Sequence, residues 1–140
     1  IVFVKSYNIG IDIEKIQYNL DVLSLARSFF SDQEVSLLEN ISIKEKFLTF
    51  YRCWTRKEAF VKAEGSGLSF PLNSFSVSMD SDSRANFLDA THSLPNKNKW
   101  SLFSFRPSSN YISAIAVMGK VNTIKYLDLD NPSLEDYSPT

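Results

Sequence analysis

The sequence predicts an α+β fold in which a largely antiparallel sheet packs against one long helix and shorter helices. Strand-like segments come before and after a block of helical segments, so strands and helices do not alternate along the chain. The strand-like segments show period-two alternation of apolar and polar residues, whereas the central block shows helical periodicity. With 140 residues and eleven Phe, the chain is large enough to build the core of one domain.

The amino-terminal segments predict two strands, residues 1–6 and 8–16, joined near Tyr7 as a hairpin. In the second segment, NIGIDIEKI, the isoleucines occupy one strand face, and Gly10, Asp12 and Glu14 occupy the other. Neighbouring like charges repel, and strands disfavour acidic residues. The two carboxylates therefore need a stabilising partner, and Gly10 beside them leaves room for a ligand to approach the backbone.

The central block predicts three helices. Residues 20–30 have an amphipathic pattern, and Ser31 with Glu34 forms a capping box that starts a second helix at Asp32. After a break near residues 40–42, residues 43–64 contain neither Gly nor Pro and predict the longest helix, which ends at the Gly-Ser-Gly of residues 65–67. Its predicted buried stripe consists of Phe47, Phe50, Tyr51, Trp54, Ala59 and Val61.

The carboxyl-terminal half predicts further strands near residues 75–79, 87–88, 99–106 and 111–119, with a polar turn at residues 80–87. The segment after Leu129 reads as loop. We therefore predict a single lobe in residues 1–129, followed by a tail in residues 130–140.

Composition argues against several classes of protein. The formal net charge of −1 gives no broad basic surface for nucleic acid, and no apolar run approaches the roughly 20 residues that cross a bilayer. The single cysteine, Cys53, excludes an internal disulfide, and no secretory signal is visible. We expect a cytoplasmic protein that has no nucleic-acid or membrane partner.

Two segments carry residues that suit phosphate chemistry. Asp12 and Glu14 share a strand face, while the long helix carries Glu58 and Lys62 four residues apart on one helical face. Three carboxylates would form an all-oxygen site for Mg²⁺, and Lys57 and Lys62 would supply positive charge to phosphate oxygens. This arrangement is typical of phosphoryl-group transfer.

Ordinary structural roles would also explain these residues. Glu58 and Lys62 form a common surface ion pair on a helix. Asp12 and Glu14 fit the solvent-exposed face of an edge strand. His92 lies in a polar segment typical of solvated loops. Cys53 fits a packed small side chain.

Taken together, the motifs resemble the 4′-phosphopantetheinyl transferase superfamily. GIDIE, followed by WTRKEAFVKAEGSGL, is similar to the paired signature of that family, and FFSDQE and PLNSFSV fit as well. The trailing stretch is especially similar to the two-lobed type that activates surfactin and other peptide synthetases. The resemblance covers residues 8–77 and implies a transferase-like lobe.

The resemblance implies transfer of the phosphopantetheine arm of coenzyme A to a serine of an apo carrier protein, with release of 3′,5′-ADP. It implies that Asp12, Glu14 and Glu58 hold Mg²⁺. Glu58 and Lys62 would be the catalytic residues, with Glu58 helping to deprotonate the serine. Lys62 and Lys57 would bind coenzyme A phosphates, and Trp54 would pack the helix against the sheet.

The resemblance has one departure. Two-lobed members carry an amino-terminal half with a histidine-serine motif before GIDIE, whereas only seven residues precede Asn8 here. Because no initiator Met is present either, we expect the carboxyl-terminal lobe of a larger enzyme, or else a site completed by self-association as a homo-oligomer. The alternative function is a non-catalytic lobe that binds a carrier protein or coenzyme A. Fatty-acid, polyketide and nonribosomal peptide carriers all remain open.

Overall fold

Three helices are inserted between the first strand and the remaining strands of the chain. The computed structural model describes residues 2–81, 84–88, 97–127 and 134–137. The helices are α1 (Val22–Phe29), α2 (Asp32–Asn40) and α3 (Ile43–Glu64). The strands are β1 (Ile9–Lys15), β2 (Ser76–Val77), β3 (Arg84–Ala85), β4 (Phe87–Leu88), β5 (Trp100–Ser108), β6 (Tyr111–Met118), β7 (Ile124–Leu127) and β8 (Leu134–Tyr137).

The main sheet is antiparallel throughout and has the strand order β1-β6-β5-β3. Asp12 of β1 lies opposite Ala114 of β6, which lies opposite Ser104 of β5. Directly opposed residues share a face of the sheet, and α3 packs across the face that these three residues form. Strands β2 and β4 form a second small sheet, and β7 and β8 form a third. The predicted α+β fold, with an antiparallel sheet against a long helix, is confirmed.

The helix boundaries follow the local signals in the sequence. Ser31 Oγ accepts a hydrogen bond from Glu34 N, and Glu34 Oε2 accepts one from Ser31 N at 3.0 Å, so the predicted capping box is confirmed. Helix α3 covers the predicted residues 43–64 and ends at Gly65, whose φ of 89° is the left-handed conformation that favours glycine. Within the described residues, no helix combines the length and apolar character needed to span a bilayer.

Gly10 determines how closely β1 approaches α3. A Cβ atom at this position would overlap the carbonyl oxygen of Ala59 and lie 2.5 Å from the amide nitrogen of Ala63. The space beside Gly10 is therefore filled by the backbone of α3, which corrects the expectation that it admits a ligand. On β1, Asp12 faces α3 and is 6% exposed, whereas Ile13 on the opposite face is 55% exposed.

Three short predictions were wrong, each because strand formation depends on distant partners. Residues 2–7 form no strand, and β1 pairs with β6 instead of forming the predicted hairpin. Arg84–Ala85 is a short strand inside the predicted polar turn. Leu134–Tyr137, which was expected to be loop, pairs with β7. The division into a lobe and a tail at residue 129 stays a prediction.

Candidate active site

Asp12 is the most buried carboxylate of the candidate site. Its Oδ1 accepts a hydrogen bond from Lys62 Nζ at 2.6 Å. Its Oδ2 is buried and, among the residues that the structure describes, finds no hydrogen-bond partner. A buried carboxylate oxygen that lacks a donor costs free energy. A cation bound at this oxygen would remove that cost.

Glu14 and Glu58 bring two more carboxylates to Asp12. Partial burial is the largest cause that raises the pKa of Glu14, and the charges of Asp12 and Glu58 raise it further. Burial is also the largest cause that raises the pKa of Glu58, followed by the charge of Asp12. One strand face and one helix face therefore hold three acidic groups that repel one another.

Lys62 and Trp54 oppose this repulsion in part. The charge of Lys62 lowers the pKa of both Glu14 and Glu58, and a hydrogen bond with Trp54 lowers that of Glu14. The side chain of Lys62 is 49% exposed, so a ligand in solvent could reach its ammonium group. We call Asp12, Glu14, Glu58 and Lys62 the open cluster.

The open cluster fits a hard divalent cation by its chemistry and its charge. All three acidic side chains offer carboxylate oxygens, which Mg²⁺ prefers, and Asp12 Oδ2 has no other partner among the described residues. In this conformation, no group of three His, Cys, Asp or Glu side chains in the described ranges is arranged to hold a metal ion. Ligation by Asp12, Glu14 and Glu58 therefore requires their side chains to move and stays a prediction.

A cleft of about 650 Å³ opens beside the open cluster. Glu58 and Lys62 line it from α3, and Asn73 contributes a further polar group. Most of the surrounding wall is apolar and comprises Phe29, Trp54, Val61, Phe70, Pro71 and Leu72. The cleft therefore joins a charged end to an apolar chamber, which suits a ligand with one anionic and one less polar part.

Trp54 packs against Phe50 of its own helix and against Phe29 of α1. Its ring stacks on Phe50 at 5.9 Å between centroids and meets Phe29 edge-on at 5.6 Å. Its link to β1 is the hydrogen bond with Glu14. The sequence predicts a packing role against the sheet, whereas the ring contacts of Trp54 are with residues of α3 and α1.

Lys57 does not face the cleft, which corrects the prediction that it binds coenzyme A phosphates. Its side chain has no exposed surface, and its Nζ lies 2.8 Å from Glu34 Oε2. Nζ also donates hydrogen bonds to the carbonyl oxygens of Leu72 at 2.8 Å and Phe75 at 2.5 Å. Consecutive residues of a helix point about 100° apart, so Lys57 is turned inward while Glu58 faces the site.

The sequence predicts only part of the role of Glu34. Besides capping α2, its Oε1 accepts a hydrogen bond from Val77 N at 2.8 Å, while Oε2 receives Lys57. The capping box identifies Glu34, but no local pattern reveals partners so far along the chain. We call the set that joins α2, α3 and β2 the closed network; it consists of Ser31, Glu34, Lys57, Leu72, Phe75 and Val77.

Of the remaining chemical candidates, the structure describes Cys53 and places it in the core. Cys53 is fully buried, and burial raises the pKa of its thiol well above the usual range, so the prediction of a packed side chain is confirmed. His92 lies outside the residues that the structure describes.

Comparisons with known proteins show the family of this chain. A model of the 4′-phosphopantetheinyl transferase superfamily matches residues 8–116. The chain is 34% identical over 111 residues to the 4′-phosphopantetheinyl transferase HetI of Nostoc sp., covering 79% of this chain and 44% of that protein. It is 44% identical over 89 residues to the 4′-phosphopantetheinyl transferase Sfp of Bacillus subtilis, covering 63% and 39%. The chain thus spans less than half the length of the curated relatives it matches.

A solved structure supports the same fold. The holo-[acyl-carrier-protein] synthase (AcpS) of Thermotoga maritima superposes with a TM-score of 0.57 at 14% identity, covering 95% of this chain and 83% of that one. At this low identity, the similarity concerns the fold alone. The family match covers most of the sequence and includes all four residues of the open cluster, and by that match this chain belongs to the 4′-phosphopantetheinyl transferase superfamily.

Proposed function

We propose that this chain takes part in moving the 4′-phosphopantetheine arm of coenzyme A to a serine of an apo acyl or peptidyl carrier protein. The reaction would require Mg²⁺ and release 3′,5′-ADP. One observation carries the proposal: the three mutually repelling carboxylates of the open cluster lie beside a lysine at the mouth of a mainly apolar cleft.

Asp12, Glu14 and Glu58 would hold the Mg²⁺, which would neutralise charge on the pyrophosphate of coenzyme A. Lys62 would donate hydrogen bonds to a phosphate oxygen, because its ammonium is accessible and flexible. To reach the phosphate, it would release Asp12 Oδ1. The cation, in turn, would take over the charge balance at Asp12.

Glu58 is the proposed general base. The serine hydroxyl of the carrier attacks the phosphorus that bears the pantetheine arm, the bond from that phosphorus to the 3′,5′-ADP oxygen breaks, and the serine proton passes to Glu58 directly or through water. Glu58 is proposed for this role because it lines the cleft beside Lys62. The pantetheine arm would occupy the apolar chamber of the cleft.

The test is the mass of the carrier protein after incubation with this protein, coenzyme A and Mg²⁺. We expect the carrier to gain one phosphopantetheine group, and a carrier whose acceptor serine is changed to alanine to gain none. Asp12→Asn and Glu58→Gln should each abolish the gain, whereas Lys44→Met, an exposed change on α3, should not. A preparation that binds coenzyme A and carrier in the presence of Mg²⁺ yet leaves the carrier unmodified would contradict the proposed transfer.

A second function is favoured by length: the chain covers only 34% of one curated relative and 44% of another. It would then be a lobe that binds the carrier protein or coenzyme A and depends on a further lobe, or on a second copy, for catalysis. Carrier binding that is unchanged by Mg²⁺ and by Asp12→Asn would support this function. Cytoplasmic location stays a prediction from the sequence, which does not specify the carrier.

A further inference from the structure

We propose that Lys57 is a positioning residue: through its buried pair with Glu34 it holds residues 70–77 in place and so sets the shape of the cleft beside Glu58. The inference rests on the proposed function, because it assigns the apolar chamber to the pantetheine arm. It gives a role to the lysine that precedes Glu58 and that the proposed chemistry does not use.

The first step of the argument is the saturation of Lys57. An ammonium group has three protons to donate, and Nζ has three oxygen partners within 2.8 Å: Glu34 Oε2 and the carbonyls of Leu72 and Phe75. The same Nζ lies 4.3 Å from the centroid of the Phe75 ring. A group so fully occupied has no donor left for a phosphate.

The second step concerns what Lys57 holds. Leu72 begins the 3₁₀ turn Leu72–Ser74 and Phe75 follows it, and the carbonyl oxygens of both accept hydrogen bonds from Lys57 Nζ on α3. The side chains of Phe70, Pro71 and Leu72 form one wall of the cleft. Lys57 thus binds the backbone of the same segment whose side chains line the cleft.

The third step is the anchoring of Lys57 itself. Glu34 receives Lys57 on Oε2, and its Oε1 accepts the amide of Val77, so one carboxylate ties α3 to β2. Ser76 Oγ donates to Ser31 Oγ at 2.7 Å, a second tie between β2 and the start of α2. The segment that forms the wall is therefore tied both to α3 and to the start of α2.

The experiment compares two probes that share phosphate and differ in the arm: 4′-phosphopantetheine and inorganic pyrophosphate, each titrated with Mg²⁺ into the purified chain. Lys57→Met keeps an unbranched apolar side chain and removes its donors. We expect it to weaken phosphopantetheine binding by about tenfold to a hundredfold, as displaced positioning groups do. Pyrophosphate affinity should stay within about twofold, the usual scatter for distant sites.

Because Lys57→Met leaves Glu34 charged and buried, a second variant guards against failure to fold. Lys57→Met with Glu34→Gln removes both charges, and with them the cost of an unpaired buried carboxylate. It keeps one acceptor oxygen at position 34, while the methionine supplies none of the donors that Lys57 gives to the carbonyls of Leu72 and Phe75. We expect this double variant to regain thermal stability while phosphopantetheine binding stays weak. Lys44→Met, which removes an exposed charge from the same helix, is the matched control and should change neither probe.

Four results would overturn the inference. Equal weakening of both probes by Lys57→Met would show that Lys57 acts on phosphate. Unchanged binding of both, or full recovery of phosphopantetheine binding in the double variant, would show that Lys57 serves folding alone. If the unaltered chain bound neither probe, the proposed function would fail first, and this inference with it.

Discussion

The closed network and the open cluster include consecutive residues of α3, Lys57 and Glu58, and differ in how their charges are balanced. In the closed network, Lys57 and Glu34 are both buried, and the ammonium meets three acceptors within 2.8 Å. In the open cluster, carboxylates outnumber lysines, Asp12 Oδ2 has no partner among the described residues, and two pKa values are raised. Charged groups that are paired within the protein stabilise the fold. Like charges that remain close together without enough partners indicate a site that binds a ligand.

Breaking the closed network should have the largest effect on stability. Lys57→Met leaves the carboxylate of Glu34 buried without its cation, and we expect a loss of about 3–5 kcal/mol in the free energy of unfolding. Urea denaturation of this variant and of the exposed control Lys44→Met measures the loss. A difference of less than 1 kcal/mol between the two variants, as estimated for an exposed pair, would contradict the importance given to this pair.

Moving α3 away from β1 should have the next largest effect on stability. Gly10→Ala places a methyl group against the carbonyl of Ala59 and the amide of Ala63, and neither backbone group can move without shifting α3 from β1. We expect a loss of about 3 kcal/mol, the upper end of the usual cost of overpacking. Gly65→Ala, where the added Cβ meets open space and only the positive φ is strained, should cost about 1 kcal/mol.

The Gly10→Ala variant also tests which region depends on the contact between β1 and α3. The shift should separate Glu58 from Asp12 and so lower the pKa of Glu58, while the Val77 amide, held by Glu34, should keep its protection from hydrogen exchange. Loss of Val77 protection together with an unchanged pKa of Glu58 would contradict this expectation. It would show that the closed network, and not the open cluster, depends on the contact between β1 and α3.

The smallest expected effect is on the pH dependence of stability in metal-free buffer. The folded-state pKa values of Glu14 and Glu58 are raised above the ordinary value of 4.5, so the folded state holds their protons more tightly than the unfolded state does. Their contribution to stability is therefore full below pH 4.5 and declines as the pH rises through the raised values. Glu58→Gln should flatten this decline, whereas Glu45→Gln, an exposed change on α3, should leave it unaltered. A decline that Glu58→Gln leaves unchanged would argue against the repulsion.

The difference between the two regions also explains what could be predicted from the sequence. The capping box at Ser31, the limits of α3 and the left-handed end at Gly65 depend on neighbouring residues, and local pattern predicts each of them. The carboxylates of Asp12 and Glu58 were identified as site candidates because their residue types and spacing suit one chemistry.

Sequence reasoning failed where the partner is distant in the chain. Lys57 and Glu58 are neighbours, and both residue types are expected to be exposed. Lys57 is nevertheless buried, because Glu34 and two carbonyl oxygens from the segment after α3 bind its ammonium group. Gly10 lies next to the carboxylates and was assigned to a ligand, whereas the backbone of α3 fills that space. Neither the burial of a lysine nor the approach of a helix leaves a periodic signal in the sequence.

The most direct test of the central claim, that the open cluster binds one divalent cation, is Mn²⁺ titration followed by electron paramagnetic resonance in the presence of inorganic pyrophosphate. We predict one Mn²⁺ per chain, with binding weakened by each of Asp12→Asn, Glu14→Gln and Glu58→Gln and unchanged by Glu45→Gln. Mn²⁺ binding that is the same in all four variants, or no binding by the unaltered chain, would contradict the account.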